Sequence, residues 1–167
     1  TARHGTLVTR QFERPGGRDV ALLVDLWLPR EPRESDLENV ELAVSFVATV
    51  VADLCRGGGA RLWLEVGGAE PASVAGPAST RLMQEALEKL AVAEASNEDR
   101  LAALLGSAGT RIKPHTELFL VGTRIHSAAE IAGDGSASNV RDAPLRTSRL
   151  RVLHPEEPDF STYFQVK

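Results

Sequence analysis

Apolar residues recur along this chain in two rhythms, and the switching between them lays out a layered domain. The run Val20-Ala21-Leu22-Leu23-Val24 has no polar interruption and ends on Asp25. Turn residues bound it, Pro15-Gly16-Gly17 before and Pro29 and Pro32 after. An unbroken apolar run of this length reads as a strand covered on both faces, the central strand of a parallel, helix-flanked sheet. From Asp36 to Arg56 the rhythm changes. Leu37, Val40, Val44, Val47, Val51 and Leu54 recur at spacings of three and four, and Phe46, Ala48 and Val50 widen the stripe. Glu38, Glu41, Ser45 and Asp53 fall outside it. This predicts a long helix packed on the sheet, with Ser35 or Asp36 as its N-cap. Gly57-Gly58-Gly59 stops it.

The same alternation continues. Arg61–Gly67 predicts a second strand, Ala72–Ala75 a short edge strand, and Thr80 to about Glu94 a helix with Leu82, Ala86, Leu87, Leu90 and Ala91 inward. Ser96 with Asp99 three residues on reads as a capping box for a third helix through Leu101, Leu104 and Leu105. Thr116–Gly122 is another strand, Ser127–Ala132 a short helix, and Gly133–Asn139 a surface loop. Arg149–Leu153 and Phe160–Val166 close the chain as strands near the sheet edge. At the other end, Thr6–Glu13 alternates imperfectly, as an extended arm or short edge strand would. Strands and helices in this order predict an α/β layered domain. Residues 1–18 are the arm or edge strand leading in, and 19–167 the domain.

Composition narrows the function classes. At 167 residues, with 43% hydrophobic and 25% charged, the chain suits one domain with a sizeable core. The net charge is −4, and nineteen basic residues are interspersed with acidic ones, which disfavours a nucleic-acid module. An anion contact through Arg141, Arg146, Arg149 and Arg151 is offset by Glu156-Glu157-Pro158-Asp159. The single cysteine, Cys55, falls within the long helix and reads as a buried apolar side chain. No apolar run approaches the ~20 residues that span a bilayer. The chain opens at Thr1 without methionine, as a fragment of a longer protein would.

Asp25 at the strand end, a long apolar helix, a second strand ending in Gly67-Gly68, and then Thr80-Arg81-Leu82 opening a helix resemble the von Willebrand factor A fold. The opening Thr1-Ala2-Arg3-His4-Gly5-Thr6-Leu7-Val8-Thr9-Arg10-Gln11-Phe12-Glu13 resembles the lead-in to the A-like domain of a bacterial family called domain of unknown function 58. The resemblance implies a three-layer α/β sandwich, mainly parallel, in a membrane-anchored protein whose N-terminal membrane segment precedes this chain. It implies a cytoplasmic domain without enzymatic activity, associated with MoxR-type AAA+ ATPases.

A-type domains hold a divalent ion with an Asp-x-Ser-x-Ser after strand one, a distal Thr, and a later Asp after the fourth strand. Asp25 matches the first ligand and Thr80 the distal threonine. Trp27 and Pro29 stand at the two serine positions and offer no side-chain oxygen, and Gly122-Thr123 stands near the later Asp. Mg²⁺ wants six hard oxygens. The sequence therefore predicts a degenerate site with remnants Asp25 and Thr80, and no metal, cofactor or catalytic residue. Asp25 becomes a capping or salt-bridging carboxylate, paired with an arginine of the following loop. The alternative is a small α/β hydrolase or nucleotide-binding enzyme using Asp25.

The remaining candidates are weaker. Gly57-Gly58-Gly59 follows a helix, whereas phosphate loops precede one, so it reads as a C-cap. Gly133-Asp134-Gly135-Ser136 lacks the lysine of a phosphate loop. His4, His115, His126 and His154 lack metal-ligand spacing and read as surface or loop histidines. Trp63 reads as core. Trp27 reads as a rim residue, either a partner anchor or a plug over the ion position. For a protein partner, the expected contact is Trp27, Leu28, Pro29, Arg30, Gly68, Ser79, Thr80 and Thr123, at the C-terminal rim of the sheet.

Overall fold

In the computed structural model, which describes residues 19–126, 131, 150–157 and 160, the apolar run forms strand β1 (Val20–Asp25), with every residue buried. It lies at the middle of a five-stranded sheet of order β3-β2-β1-β4-β5. The neighbours β2 (Arg61–Gly67) and β4 (Glu117–Gly122) both run parallel to it, with Asp25 level with Gly67 on one side and Gly122 on the other. At both glycines the space a Cβ would take is filled, by Leu104 and Arg100 beside Gly67 and by His126 beside Gly122. Strand β3 (Ala72–Pro77) is antiparallel at one edge, and β5 (Leu150–Leu153) parallel at the other.

Helices cover both faces. Alternate residues of β1 point to opposite sides. Val20, Leu22 and Val24 meet helix α1 (Glu34–Gly57) and helix α2 (Thr80–Ala91) in the larger core cluster. Ala21 and Leu23 meet Trp63 and helix α3 (Leu101–Arg111) on the other face. The result is the three-layer α/β sandwich expected from the sequence. No described helix is long and apolar enough to cross a membrane.

The structure corrects several local expectations. The α1 N-cap is Arg33, not Ser35 or Asp36. Asp36 serves from inside the first turn, its Oδ2 accepting the Arg33 N–H at 2.8 Å. The buried stripe of α1 is Asn39, Ala43, Phe46, Val47, Val50, Val51, Leu54 and Cys55, so the helix is turned away from the expected phase. Leu37 is left 49% exposed, and Val40 and Val44 only partly covered. Two contacts fix this rotation. Phe46 packs on Phe160 with ring centroids 5.0 Å apart, and Asn39 Nδ2 donates to Glu156 Oε1 at 3.0 Å.

Helix α2 ends at Ala91 and buries Leu82, Ala86 and Leu90, leaving Ala91 exposed. Helix α3 begins at Leu101, not at Ser96, because Ser96 Oγ and Asp99 Oδ1 close two short turns instead, accepting from Glu98 N–H and Leu101 N–H. Phe160, expected to open a strand, is helical. The glycine stop holds: Gly58 caps α1 with φ 62° and Gly59 follows at 76°. Cys55 is buried and free, and its burial pushes the thiol pKa up against a Ser79 backbone hydrogen bond that lowers it. The N-terminal arm, the Gly133–Asn139 loop and the strand beyond Phe160 lie outside the described residues, as does all of the Ser127–Ala132 helix except helical Ile131.

Candidate functional site

Beyond Asp25 the chain does not leave the sheet at once. Leu26 N–H bonds to Gly67 O at 2.8 Å, Ser96 N–H to Leu26 O at 3.0 Å, and Leu28 N–H to Ser96 O at 2.9 Å. The connection between α2 and α3 thus lies against Leu26-Trp27-Leu28 like a short extra strand, with a bridge from Trp27 to Ser96. Ala69 N–H holds the same connection through Glu94 O at 2.8 Å. On the other flank Thr123 Oγ1 accepts the Trp27 N–H at 2.9 Å. Its single proton goes to the Trp27 carbonyl, 2.5 Å away, in preference to the Asp25 carbonyl at 3.3 Å. The Thr123 N–H also binds the Asp25 carbonyl, at 3.1 Å. The hydroxyl standing near the place where A-type domains carry their later Asp is committed to backbone.

The carboxylate of Asp25 is 1% exposed. Its Oδ2 lies 3.2 Å from Nε of Arg124 and 3.3 Å from Nε2 of His126. Arg124 continues outward: its guanidinium donates to Asp99 Oδ1 at 2.6 Å and stacks over Trp27, 5.2 Å from the ring centroid. Burial pulls the Arg124 pKa down, but the Asp99 hydrogen bond and the Asp25 charge outweigh it, so the guanidinium is held protonated above its usual range. The hydrogen bond from Arg124, helped by the Leu101 N–H, lowers the Asp99 pKa. The His126 side chain is as buried as that of Asp25, yet neither ring nitrogen has an aligned hydrogen-bond partner. The ring lies on Gly122, where a Cβ would come within 2.5 Å of Nε2. Glycine at the end of β4 is what lets the imidazole reach the carboxylate.

A divalent ion does not fit this arrangement. Such an ion needs several hard oxygens facing one point. Here Trp27 and Pro29 bring none, Thr123 spends its hydroxyl on Trp27, and the exposed face of Asp25 is closed by a guanidinium and an imidazole. Thr80, the expected distal ligand, is at the wrong end. Strand β3 runs antiparallel, and Ala78 N–H binds Ala60 O at 2.8 Å, just before β2 begins. Ser79, the α2 N-cap accepting from Leu82 N–H at 3.2 Å, and exposed Thr80 therefore sit on the N-terminal rim. They do not join Trp27, Leu28, Gly68 and Thr123 around Asp25. Pro29 and Arg30 follow in the loop, Pro29 half-buried and Arg30 exposed.

The groups that build the site were not among the expected ones. The arginine paired with Asp25 comes from the loop after β4, not from the loop after β1. His126 and His154 lie in loops, as expected, but their side chains are not on the surface: that of His126 is buried against Asp25, and His154 is 3% exposed with Nδ1 accepting from Glu156 N–H. The sequence signal was available in Gly122-Thr123-Arg124-Ile125-His126, two basic residues one apart just past a strand next to β1. Trp27 is half-buried, so the place beside the carboxylate belongs to Arg124 rather than to the indole. Nor is Asp25 open to a substrate: a 1% exposed carboxylate bound by a guanidinium presents no reactive edge.

No protein family and no curated protein matches the chain. Among solved structures it is similar to the three N-terminal domains of the type V pili tip protein Mfa5 from Porphyromonas gingivalis, at TM-score 0.49 and 14% identity over 64% of this chain and 19% of that one. It is similar to the vWF domain of the same protein, at 0.49 and 13% over 65% and 38%. A von Willebrand factor type A structure from Catenulispora acidiphila gives 0.47 and 16% over 70% and 29%. The chain thus spans under two-fifths of the length of each of these proteins. Its strand order, with helices on both faces, one antiparallel edge strand and a carboxylate ending the central parallel strand, fits an α/β fold of the von Willebrand factor A-like type.

Proposed function

We propose that this domain is a non-catalytic protein-interaction module that works without a metal ion and presents the rim around Trp27 to its partner. The observation that carries the reading is Arg124. Its guanidinium gives Asp25 the positive charge that a divalent ion supplies in a metal-dependent A-type domain, and it does so from within the chain. A rim already neutralised cannot capture a partner carboxylate through an open metal coordination position. It selects by shape and apolar contact, for which a half-buried Trp27 backed by a guanidinium is a rigid, large-area anchor. Leu28, Pro29 and Arg30 complete this surface; Gly68 and Thr123, expected in it, are buried beneath it, and Ser79 and Thr80, on the other rim, are left out of it.

The sequence resemblance supports the wider setting: a cytoplasmic domain of a membrane-tethered bacterial protein, acting with a MoxR-type AAA+ ATPase in assembly or maturation of other proteins. The test is co-purification of the full-length protein from native membranes, in wild-type form and as Trp27→Ala. The ATPase is expected with the wild type and depleted with the variant, while the melting temperature of the variant stays close to wild type. Central interface tryptophans are worth about 2 kcal/mol or more, roughly a thirtyfold loss of affinity. Equal recovery of the ATPase with both forms would show that the rim is the wrong face. Absence of the ATPase from both would remove it as the partner.

A further inference from the structure

At the opposite rim from Trp27 the sheet presents a second surface. Among the described residues β3 pairs only with β2, and no described strand takes its outer backbone groups. Natural proteins guard such edges with charges, prolines or bulges. Ala72-Ser73-Val74-Ala75-Gly76-Pro77 carries no charge, keeps an unbroken register with β2, and has proline only at its end. Helix α2 covers one face: Val74 and Gly76 are buried, and a Cβ on Gly76 would sit 3.3 Å from Leu82 Cδ1. The other face is open, with Ser73, Ala75 and Pro77 exposed. Beside it lies a pocket of about 200 Å³, floored by Trp63 and Ile112, each 8% exposed.

Charge decides what this surface fits. Arg61, Arg111 and Lys113 stand around the pocket, all exposed, and none has an ion-pair partner among the described residues. Against these three cations stands one carboxylate, Asp19, whose Oδ1 accepts the Arg61 N–H at 3.2 Å. We propose that β3 takes an extended acidic segment of a partner protein as an added strand, one side chain entering the pocket and Asp or Glu side chains meeting Arg61, Arg111 and Lys113. An incoming strand binds the edge through its own backbone and points alternate side chains to the open face. The acidic positions lie toward the Ala75–Pro77 end of β3, because Glu65, level with Ser73, places a carboxylate with an unpartnered Oε2 at the other end. A peptide fits better than a nucleic acid: backbone donors and acceptors in strand spacing, untaken by any described strand, match a peptide backbone and have no counterpart in a sugar-phosphate chain.

The probe is a display library of random short peptides, panned on the 167-residue chain and on its Arg61→Gln/Arg111→Gln/Lys113→Gln variant. The three side chains are exposed, so the variant is expected to melt within a few degrees of wild type. Enriched sequences should carry Asp or Glu at alternate positions. An enriched peptide should shift the amide resonances of Ala72–Gly76 and the Trp63 indole. It should lose roughly tenfold or more in affinity to the triple variant, lose binding when its alternate backbone nitrogens are methylated, and keep its affinity for Trp27→Ala. The proposal is overturned if panning enriches nothing, or if the enriched peptides lack an acidic bias. It is equally overturned if they bind the triple variant as well as wild type, shift resonances elsewhere, or are matched there by oligothymidine.

Discussion

Arg124 does three things with one planar group. It faces the buried Asp25 carboxylate, reaches Asp99 at the surface, and lies over the Trp27 ring. Lysine could not do the same, because a single ammonium lacks the fork that spans two carboxylates and the flat face that stacks. The outer link of this chain titrates. Asp99 has its pKa lowered from 3.8 chiefly by the Arg124 hydrogen bond. A carboxyl depressed in the folded state contributes stability that is complete above its unfolded pKa and is lost as pH falls through the folded value. Urea midpoints measured from about pH 5 to about pH 2 should therefore fall less steeply for Asp99→Asn than for wild type. Because Asp99 is mostly exposed, the difference should stay under about 1 kcal/mol. An identical pH dependence in the two proteins would remove Asp99 from the network.

At the scale of elements, the hydrophobic rhythm identified β1, β2, β4 and the glycine stop after α1, because each depends on residues within its own segment. What it could not give was the rotation of α1. Leu37 belongs to the apolar stripe by spacing, yet it faces solvent while polar Asn39 is buried. The reason is Glu156, more than a hundred residues on, which receives the Asn39 amide. The same holds for the start of α3: Ser96 and Asp99 have capping-box spacing, but Ser96 is held by the chain beyond β1 and Asp99 by Arg124. Locally correct signals lost to tertiary contacts in both cases. That connection also explains Gly68, whose missing Cβ would press on the Glu94 carbonyl. Gly68→Ala should cost about 1–3 kcal/mol, as overpacking does, and should broaden the amide signals of Glu94–Ser96. A variant as stable as wild type by urea denaturation would mean that this connection is not packed on the rim.

Across the whole molecule, the sheet separates two surfaces. The C-terminal rim gathers Asp25, Trp27, Thr123, Arg124 and His126, and the N-terminal rim gathers the β3 edge with Arg61, Arg111 and Lys113. The candidate site was half legible in the sequence. Asp25 ends an apolar strand and Trp27 occupies a ligand position, both visible from neighbouring residues. Thr80 misled because sequence order says nothing of strand direction: one antiparallel hairpin, β2 to β3, carries the start of α2 to the far rim. Arg124 and His126 were missed because their meaning comes only from β4 lying beside β1.

Asp25 is neutralised from within the chain by Arg124, and a double-mutant cycle between Asp25→Asn and Arg124→Gln, followed by urea denaturation with millimolar Mg²⁺ and again with chelator, tests this most directly. Breaking a buried ion pair from one side is costly because a charge is left uncompensated, about 3–5 kcal/mol in full burial. With Arg124 still reaching solvent, Arg124→Gln should cost about 2–3 kcal/mol, and the coupling should be about 1–3 kcal/mol. Both values should be the same with and without Mg²⁺. A coupling below about 0.5 kcal/mol, or a wild type stabilised by Mg²⁺ through Asp25, would contradict it.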